Sequence, residues 1–361
     1  MSGYRAYLDW NASAPLRREA RDAMHAAMDA VGNPSSVHAE GRRVRAIVED
    51  ARREVAMLVG AAASEVVFTS GGTEANNAVL AGPWKRILVS GVEHESVLAP
   101  ARRGGAEVVT LPVDRDGVVV PEAVARALSA VTDPKGTLLS IQAANNETGV
   151  IQPLTAIVGA AKAVGVTVHS DAVQAAGRVA IDFAGLDLMS ISGHKLGAAK
   201  GVGALVVRDG AELSPLFAGG GQEARRRAGT ENVVGIAGFG AAARAARDEL
   251  VAFARLVEHR RTIERAIAAA VPGGLIVGAG AERLANTVCF TWPGALAEML
   301  LIKMDLGGVA ISSGAACSSG KVGPSHVLAA MGLPGEHSRS AFRVSFGATT
   351  DDREIAQFVS V

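Results

Sequence analysis

The run Leu188-Met189-Ser190-Ile191-Ser192-Gly193-His194-Lys195 decides how this chain is read. A short apolar strand stops at a glycine, and a histidine and a lysine follow at once. Ligands of open α/β sheets bind outside the carboxyl ends of the strands, so this lysine stands where chemistry is expected. A lysine there can form a Schiff base, because burial lowers its pKa and frees the amine as a nucleophile. It can equally be a surface lysine after a strand, and four residues do not choose between the two.

On either side of Leu188–Lys195, strand-type runs occur at Val66–Thr69, Ile87–Ser90, Glu107–Leu111, Thr137–Ile141, Val166–His169 and Ala204–Val207. Helical patterns fall between them, as at Thr73–Leu80, Glu122–Leu128 and Thr155–Val164. Strands alternating with helices predict a mostly parallel sheet covered on both faces. Continuously apolar strands agree, since strands buried on both faces need not alternate. Helices are also expected at Arg17–Ala30 and Val37–Leu58, where Arg42, Arg43, Arg52 and Arg53 fit a polar face. The texture changes after Gly240. Ala241–Ala270 reads as one long helix or two, followed by strands near Asn286–Trp292 and Ala341–Phe346 and helices at Leu296–Met304, at Ser325–Met331 and from Asp352. These describe a smaller α+β unit.

Composition narrows the function. The chain has 361 residues, 49% hydrophobic and 20% charged, with 36 basic and 36 acidic side chains. That is a globular protein rather than a disordered one, and zero net charge argues against a nucleic-acid binder. Mean hydropathy is +0.24, yet no stretch supplies the ~20 apolar residues of a membrane span. The N-terminus lacks a signal-peptide layout, so the cytoplasm is expected. Two cysteines exclude a disulfide scaffold and a cysteine-only metal site; no metal is expected.

Other strand ends carry chemistry of their own. Ser70-Gly71-Gly72-Thr73-Glu74 opens a helix whose free N–H groups and dipole suit a phosphate, though it could be only a capping box. It is not a P-loop, since no Gly-Lys-Ser/Thr follows. His94 follows the strand Ile87–Ser90. Asp171 follows the strand Val166–His169, where it is either a helix cap or a partner for a cationic ring nitrogen. Together, a phosphate cradle, a histidine, an aspartate and a lysine at successive strand ends describe a pocket for pyridoxal 5′-phosphate (PLP).

At this point the chain resembles the NifS/IscS-like cysteine desulfurases, which share the fold-type I, class V aminotransferase architecture. The resemblance rests on Tyr7–Asn11, Gly32–His38, Ser70–Asn77, Glu93-His94, Asn145–Gly149, Asp171–Gln174, Ser192–Lys195, Arg227–Asn232, Ser312–Ser319 and Arg343–Phe346, in family order over nearly the whole chain. It implies a large PLP-binding domain at 15–245 and a small domain built from 1–14 and 246–361. It makes Lys195 the lysine that bonds PLP and moves the proton at the substrate's Cα. Asp171 would pair with the ring nitrogen, His94 stack on the ring, and Gln174 bond the ring oxygen. Gly72, Thr73, Ser192 and His194 would hold the phosphate, and Thr230 would reach the phosphate of a second subunit, implying a homodimer. Asn146, at the cofactor, and Arg343 would grip the substrate carboxylate, for which a planar guanidinium is suited.

Cys317 decides the reaction the resemblance implies. It sits among small residues, Ser312-Ser313-Gly314-Ala315-Ala316-Cys317-Ser318-Ser319-Gly320, where a thiolate can attack. L-cysteine would become L-alanine, with the sulfur held as a persulfide on Cys317 and passed to an acceptor such as an iron–sulfur scaffold. Cys289, in strand-like Thr287–Phe290, is expected in the core. A selenocysteine lyase or another class V aminotransferase would share the fold and the PLP site, although an aminotransferase needs no such thiol. Ser192-x-x-Lys195 also matches a motif of penicillin-recognising hydrolases, whose Ser-Asp-Asn and Lys-Thr-Gly partners are absent. A non-catalytic protein on a degenerate enzyme fold finds no support, because every key polar position is filled.

Overall fold

The computed structural model describes residues 4–211, 213–314 and 324–361. Seven strands form the large sheet: β1 (Val66–Thr69), β2 (Arg86–Ser90), β3 (Glu107–Leu111), β4 (Thr137–Ser140), β5 (Thr167–Asp171), β6 (Leu188–Ser192) and β7 (Gly203–Val207). Their spatial order is β1-β7-β6-β5-β4-β2-β3, and only β7 runs against the rest. The expected strands are all present, with ends that differ by a residue or two.

Alternation along each strand feeds two separate cores. Val66 and Phe68 join Leu88, Leu139, Val168 and Ile191 on one face, under helices Ala39–Leu58, Leu154–Val164 and Val233–Asp248. Val67 joins Ile87, Val89, Leu138, Leu188 and Leu205 on the other, under helices Gly72–Leu80 and Glu95–Arg103. Each such side chain contributes about 1.5–3 kcal/mol when fully buried, and the strands read as continuously apolar because both faces are covered.

Two expectations are corrected here. The helix expected from Ala241 begins at Val233, and the stretch to Ala270 is three helices, Val233–Asp248, Leu250–Ala254 and Val257–Ala270. Gly238 and Gly240, inside the first of these helices, are contact points. A Cβ on Gly238 would lie 2.7 Å from Met24 Cγ, and one on Gly240 2.5 Å from Ala51 Cα. The helix therefore seats directly against Arg18–Met28 and Ala39–Leu58. Arg52 is not on a polar face. It is buried, its guanidinium bonds Glu223 through two nitrogens at 2.7 and 2.8 Å, and it lies over the Phe68 ring.

The remaining chain builds an antiparallel sheet of Leu275–Ile276, Thr287–Thr291, Ser312–Ser313 and Ala341–Ser345. Ala6–Tyr7 pairs in parallel with Val309–Ala310, and Leu8 and Trp10 enter the same core as Phe290, Phe342 and Phe346. Beyond this pairing the N-terminal strand leads to the carboxyl edge of the large sheet. Among the described residues no helix is long and apolar enough to cross a membrane.

Candidate active site

The carboxyl ends of β1, β2, β4, β5 and β6 open onto one cavity of about 540 Å³, within the range of ~300–1,000 Å³ usual for small-molecule sites. Gly72, Thr73, His94, Asn146, Asp171, Gln174, Ser192, His194, Lys195 and Arg343 all line it. Lys200 does too, along with the N-terminal residues Asn11, Ala12 and Ser13.

Helix Gly72–Leu80 starts at this cavity. Its first N–H groups have no partners within the helix, and the dipole favours an anion there. Gly72 is required by close packing, since a Cβ would meet Val173 Cγ2 at 2.7 Å. Glu74, in the first turn, would repel an anion, but its carboxylate is turned onto the Ser70 N–H (2.8 Å) and Arg227 (3.0 Å).

Asp171 closes β5. Its Oδ1 accepts from the Val173 N–H at 2.9 Å and its Oδ2 from Asn76 Nδ2 at 2.7 Å. A buried carboxylate held this way and facing the cavity fits a cationic ring nitrogen.

His94 caps helix Glu95–Arg103: its Nδ1 accepts the Ser96 N–H at 3.0 Å. The neutral ring therefore carries its proton on Nε2. Burial holds its pKa below the usual value, outweighing Asp171, while the Lys195 and His326 charges add to the lowering. Glu93, just before it, is fully buried and accepts from Ser90 Oγ and the Gln142 N–H. Burial pushes its carboxyl up to about 8, so it is largely neutral at pH 7.

Gly193–Lys195 forms a single helical turn at the end of β6. Lys195 Nζ donates to the carbonyls of Asn11 and, at 2.9 Å, Ala12. His194 is driven down to about 4, by burial first and then by Lys195, Lys200 and Arg178, so it stays uncharged. Arg343, from strand Ala341–Ser345, is buried; Nη2 bonds Asp9 at 2.7 Å, Nη1 bonds the Asn146 carbonyl at 3.0 Å, and Nε has no hydrogen-bond partner. The donor set fits PLP: an anion seat, a carboxylate for the ring nitrogen, and a lysine on the same cavity. Among the described residues no cluster of three or more His, Cys, Asp or Glu could hold a metal ion.

One expected residue stands elsewhere. Thr230 lines a separate open hollow with Phe217–Gly220, beside the Arg227–Glu74 pair rather than in this chain's own cavity. Cys317 lies outside the described residues. Cys289 is buried in Thr287–Thr291, and burial pushes its thiol up, with Glu147 adding to the effect. Sequence reasoning assigned no role to Asn11, Asn76 or Arg178. Their signal is visible only in three dimensions, as hydrogen bonds to Lys195, Asp171 and Gln174.

The family model for aminotransferase class-V matches residues 6–358. The chain belongs to the class-V aminotransferases. Within that family it sits with the NifS/IscS-like cysteine desulfurases. It is 40% identical to the cysteine desulfurase IscS of Dictyoglomus turgidum, covering 97% of this chain and 91% of that one. It is 42% identical to a cysteine desulfurase of Cereibacter sphaeroides, covering 99% and 94%. A NifS-like protein from Rickettsia africae superposes with a TM-score of 0.92 at 33% identity, over 99% of this chain and 98% of that one. SspA in complex with cysteine superposes with a TM-score of 0.81 at 29% identity, over 96% and 100%. The mostly parallel sheet and its helices are thus the class-V, PLP-dependent fold.

Proposed function

We propose that this chain takes sulfur from L-cysteine and releases L-alanine, with PLP as cofactor and Cys317 as the sulfur-accepting thiol. The observation that carries this is the convergence of the helix Gly72–Leu80 N-terminus, His94, Asp171 and Lys195 on one cavity. Bound there, PLP supplies an electron sink for the pair released when the substrate's Cα loses its proton.

The protein's own groups do the rest. Gly72 and Thr73 N–H groups, Ser192 and His194 would hold the phosphate, His194 without charge. Thr230 of a second copy completes that seat, which makes the working form a homodimer. Asp171 would pair with the ring nitrogen and favour its protonated form, and His94, whose Nε2 bears the proton, would lie beside the ring. Lys195 Nζ takes and returns the Cα proton. Asn146 and Arg343 orient the substrate carboxylate, the guanidinium being held in place by Asp9. Cys317 Sγ then attacks the substrate sulfur: the S–S bond forms as the Cβ–S bond breaks. In sum, L-cysteine and the Cys317 thiol give L-alanine and a Cys317 persulfide. A sulfur acceptor such as an iron–sulfur scaffold receives that sulfur in the cytoplasm. Residues 15–245 form the cofactor domain, and 1–14 with 246–361 the domain that brings the thiol.

The test is incubation of the PLP-loaded protein with L-cysteine, assaying alanine and the mass of the Cys317 peptide. Cys317→Ala keeps the yellow colour and loses alanine release by several orders of magnitude, as for groups acting as a unit. Near-normal alanine release from this variant would overturn the assignment.

A further inference from the structure

We propose that Arg178 is a positioning residue for the cofactor: it fixes the Gln174 amide so that an N–H, rather than the carbonyl, faces the ring oxygen. The inference rests on the PLP reading above. Arg178 is buried, 4% exposed, and its Nη1 donates at 2.6 Å to Gln174 Oε1 and at 2.6 Å to Asn11 Oδ1. A guanidinium can only donate. Reversing the Gln174 amide would set its NH₂ against that nitrogen, so one orientation is enforced. In it, Gln174 Nε2 gives one hydrogen to the Asn11 carbonyl at 3.1 Å. The second remains for the cavity that Gln174 lines.

The same nitrogen sets Asn11. With Oδ1 taken by Arg178, Asn11 Nδ2 donates to the Asn146 carbonyl at 3.1 Å and to Thr287 Oγ1 at 3.0 Å. The Asn11 carbonyl accepts from Lys195 Nζ as well as from Gln174. One guanidinium nitrogen thus orients two amides, and one of those residues also presents a carbonyl to Lys195. The charged groups lining the same cavity as Gln174 are Lys195, Lys200, Arg343, Asp171 and Glu74, with Asp9 opposite Arg343, Arg227 opposite Glu74, and a neutral His194. Arg178 itself bonds only neutral amides through Nη1, and its Nη2 has no hydrogen-bond partner. Burial and the Arg343 charge lower it to about 9, which leaves it cationic at neutral pH. A cation behind an N–H donor suits an anionic ring oxygen.

The test compares wild type, Arg178→Lys and Arg178→Met as PLP-loaded proteins, reading the pH midpoint of the visible absorbance band and the Kd for PLP. The deprotonated cofactor carries an uncompensated anionic ring oxygen, which Gln174 and Arg178 stabilise. Removing the Arg178 cation, and with it the fixed orientation of the Gln174 amide, disfavours that form, so in R178M the midpoint rises by about one pH unit and PLP binds about tenfold more weakly. R178K stays near wild type, because one ammonium nitrogen can donate to both amide oxygens. An R178M protein that melts earlier but keeps the wild-type midpoint and Kd overturns the proposal, as does an R178K protein no better than R178M. Should R178M not fold, Arg178→Leu, which likewise removes every donor, is read in its place with the same expectations. Wild type that takes up no PLP would instead refute the cofactor reading itself.

Discussion

His169 and Asp171 lie two residues apart on β5, both buried and both on the same side of the strand by its period of two. Their surroundings differ. His169 is closed on both nitrogens, with Ser140 Oγ on β4 at 2.8 Å and Ser190 Oγ on β6 at 3.0 Å. It stitches three strands together, and burial drives its pKa to about 3. Asp171 is braced by Asn76 and the Val173 N–H but still opens onto the cavity. Ser190 and Ser192 repeat the contrast on β6: the first completes the histidine bridge, and the second lines the cavity. Within the sheet, polar groups satisfy one another. At its carboxyl edge, capacity is left for a ligand.

This contrast is tested hardest at Lys195. Lys195→Ala removes an edge residue whose partners include the Asn11 and Ala12 carbonyls, so the fold should persist with a melting temperature within a few degrees of wild type. Alanine release from L-cysteine should fall by several orders of magnitude. Retention of even a tenth of the activity, or collapse of the fold, would erase the distinction between edge and interior.

The interior makes the opposite prediction. His169→Leu leaves the Ser140 and Ser190 hydroxyls without their bridge, costing about 1–3 kcal/mol at pH 7.5. Wild-type His169 has a folded pKa near 3 against about 6.5 unfolded. Between those values the unfolded state binds the proton and the folded state does not. Stability from this group is therefore present above pH 6.5 and lost as pH falls toward 3, at about 1.4 kcal/mol per unit. Unfolding free energies from pH 7.5 to 4 should show the wild-type slope steeper than that of His169→Leu by this amount. Parallel slopes would mean the histidine is not a closed, neutral bridge.

The same distinction explains what was legible in the sequence. The seven strands of the large sheet announce themselves because burial on both faces demands unbroken apolar runs. Their ends announce the site because a lysine, an aspartate and a glycine-opened helix follow those runs directly. The glycines of Val233–Asp248 mislead, since a helix packed backbone to backbone against two others uses the residues that normally end one. Arg52 misleads likewise: nothing local says that Glu223, far along the chain, will bury it. Two-residue strands such as Ala6–Tyr7 carry no periodicity to detect. Asn76 and Arg178 read as ordinary polar positions because their purpose lies in long-range hydrogen bonds to Asp171 and Asn11.

The smallest expected effect separates the two cysteines. Cys289 stands opposite Arg343 across the antiparallel ladder, and Arg343 lines the cavity, so proximity alone would make this thiol a candidate for chemistry. Its surroundings say otherwise. It is fully buried and packs with Val277, Val327 and Leu328, and burial raises its pKa, so the reactive thiolate is suppressed. Cys289→Ala removes one sulfur from a packed site and should cost on the order of 1 kcal/mol. Alanine release should stay within about twofold of wild type, because the Arg343 bonds to Asp9 and the Asn146 carbonyl do not involve the thiol. A thermal melt and the alanine assay on one preparation settle both parts. If Cys289→Ala were inactive but fully stable, the buried thiol would be the reacting one, and closeness to the cavity would outweigh burial.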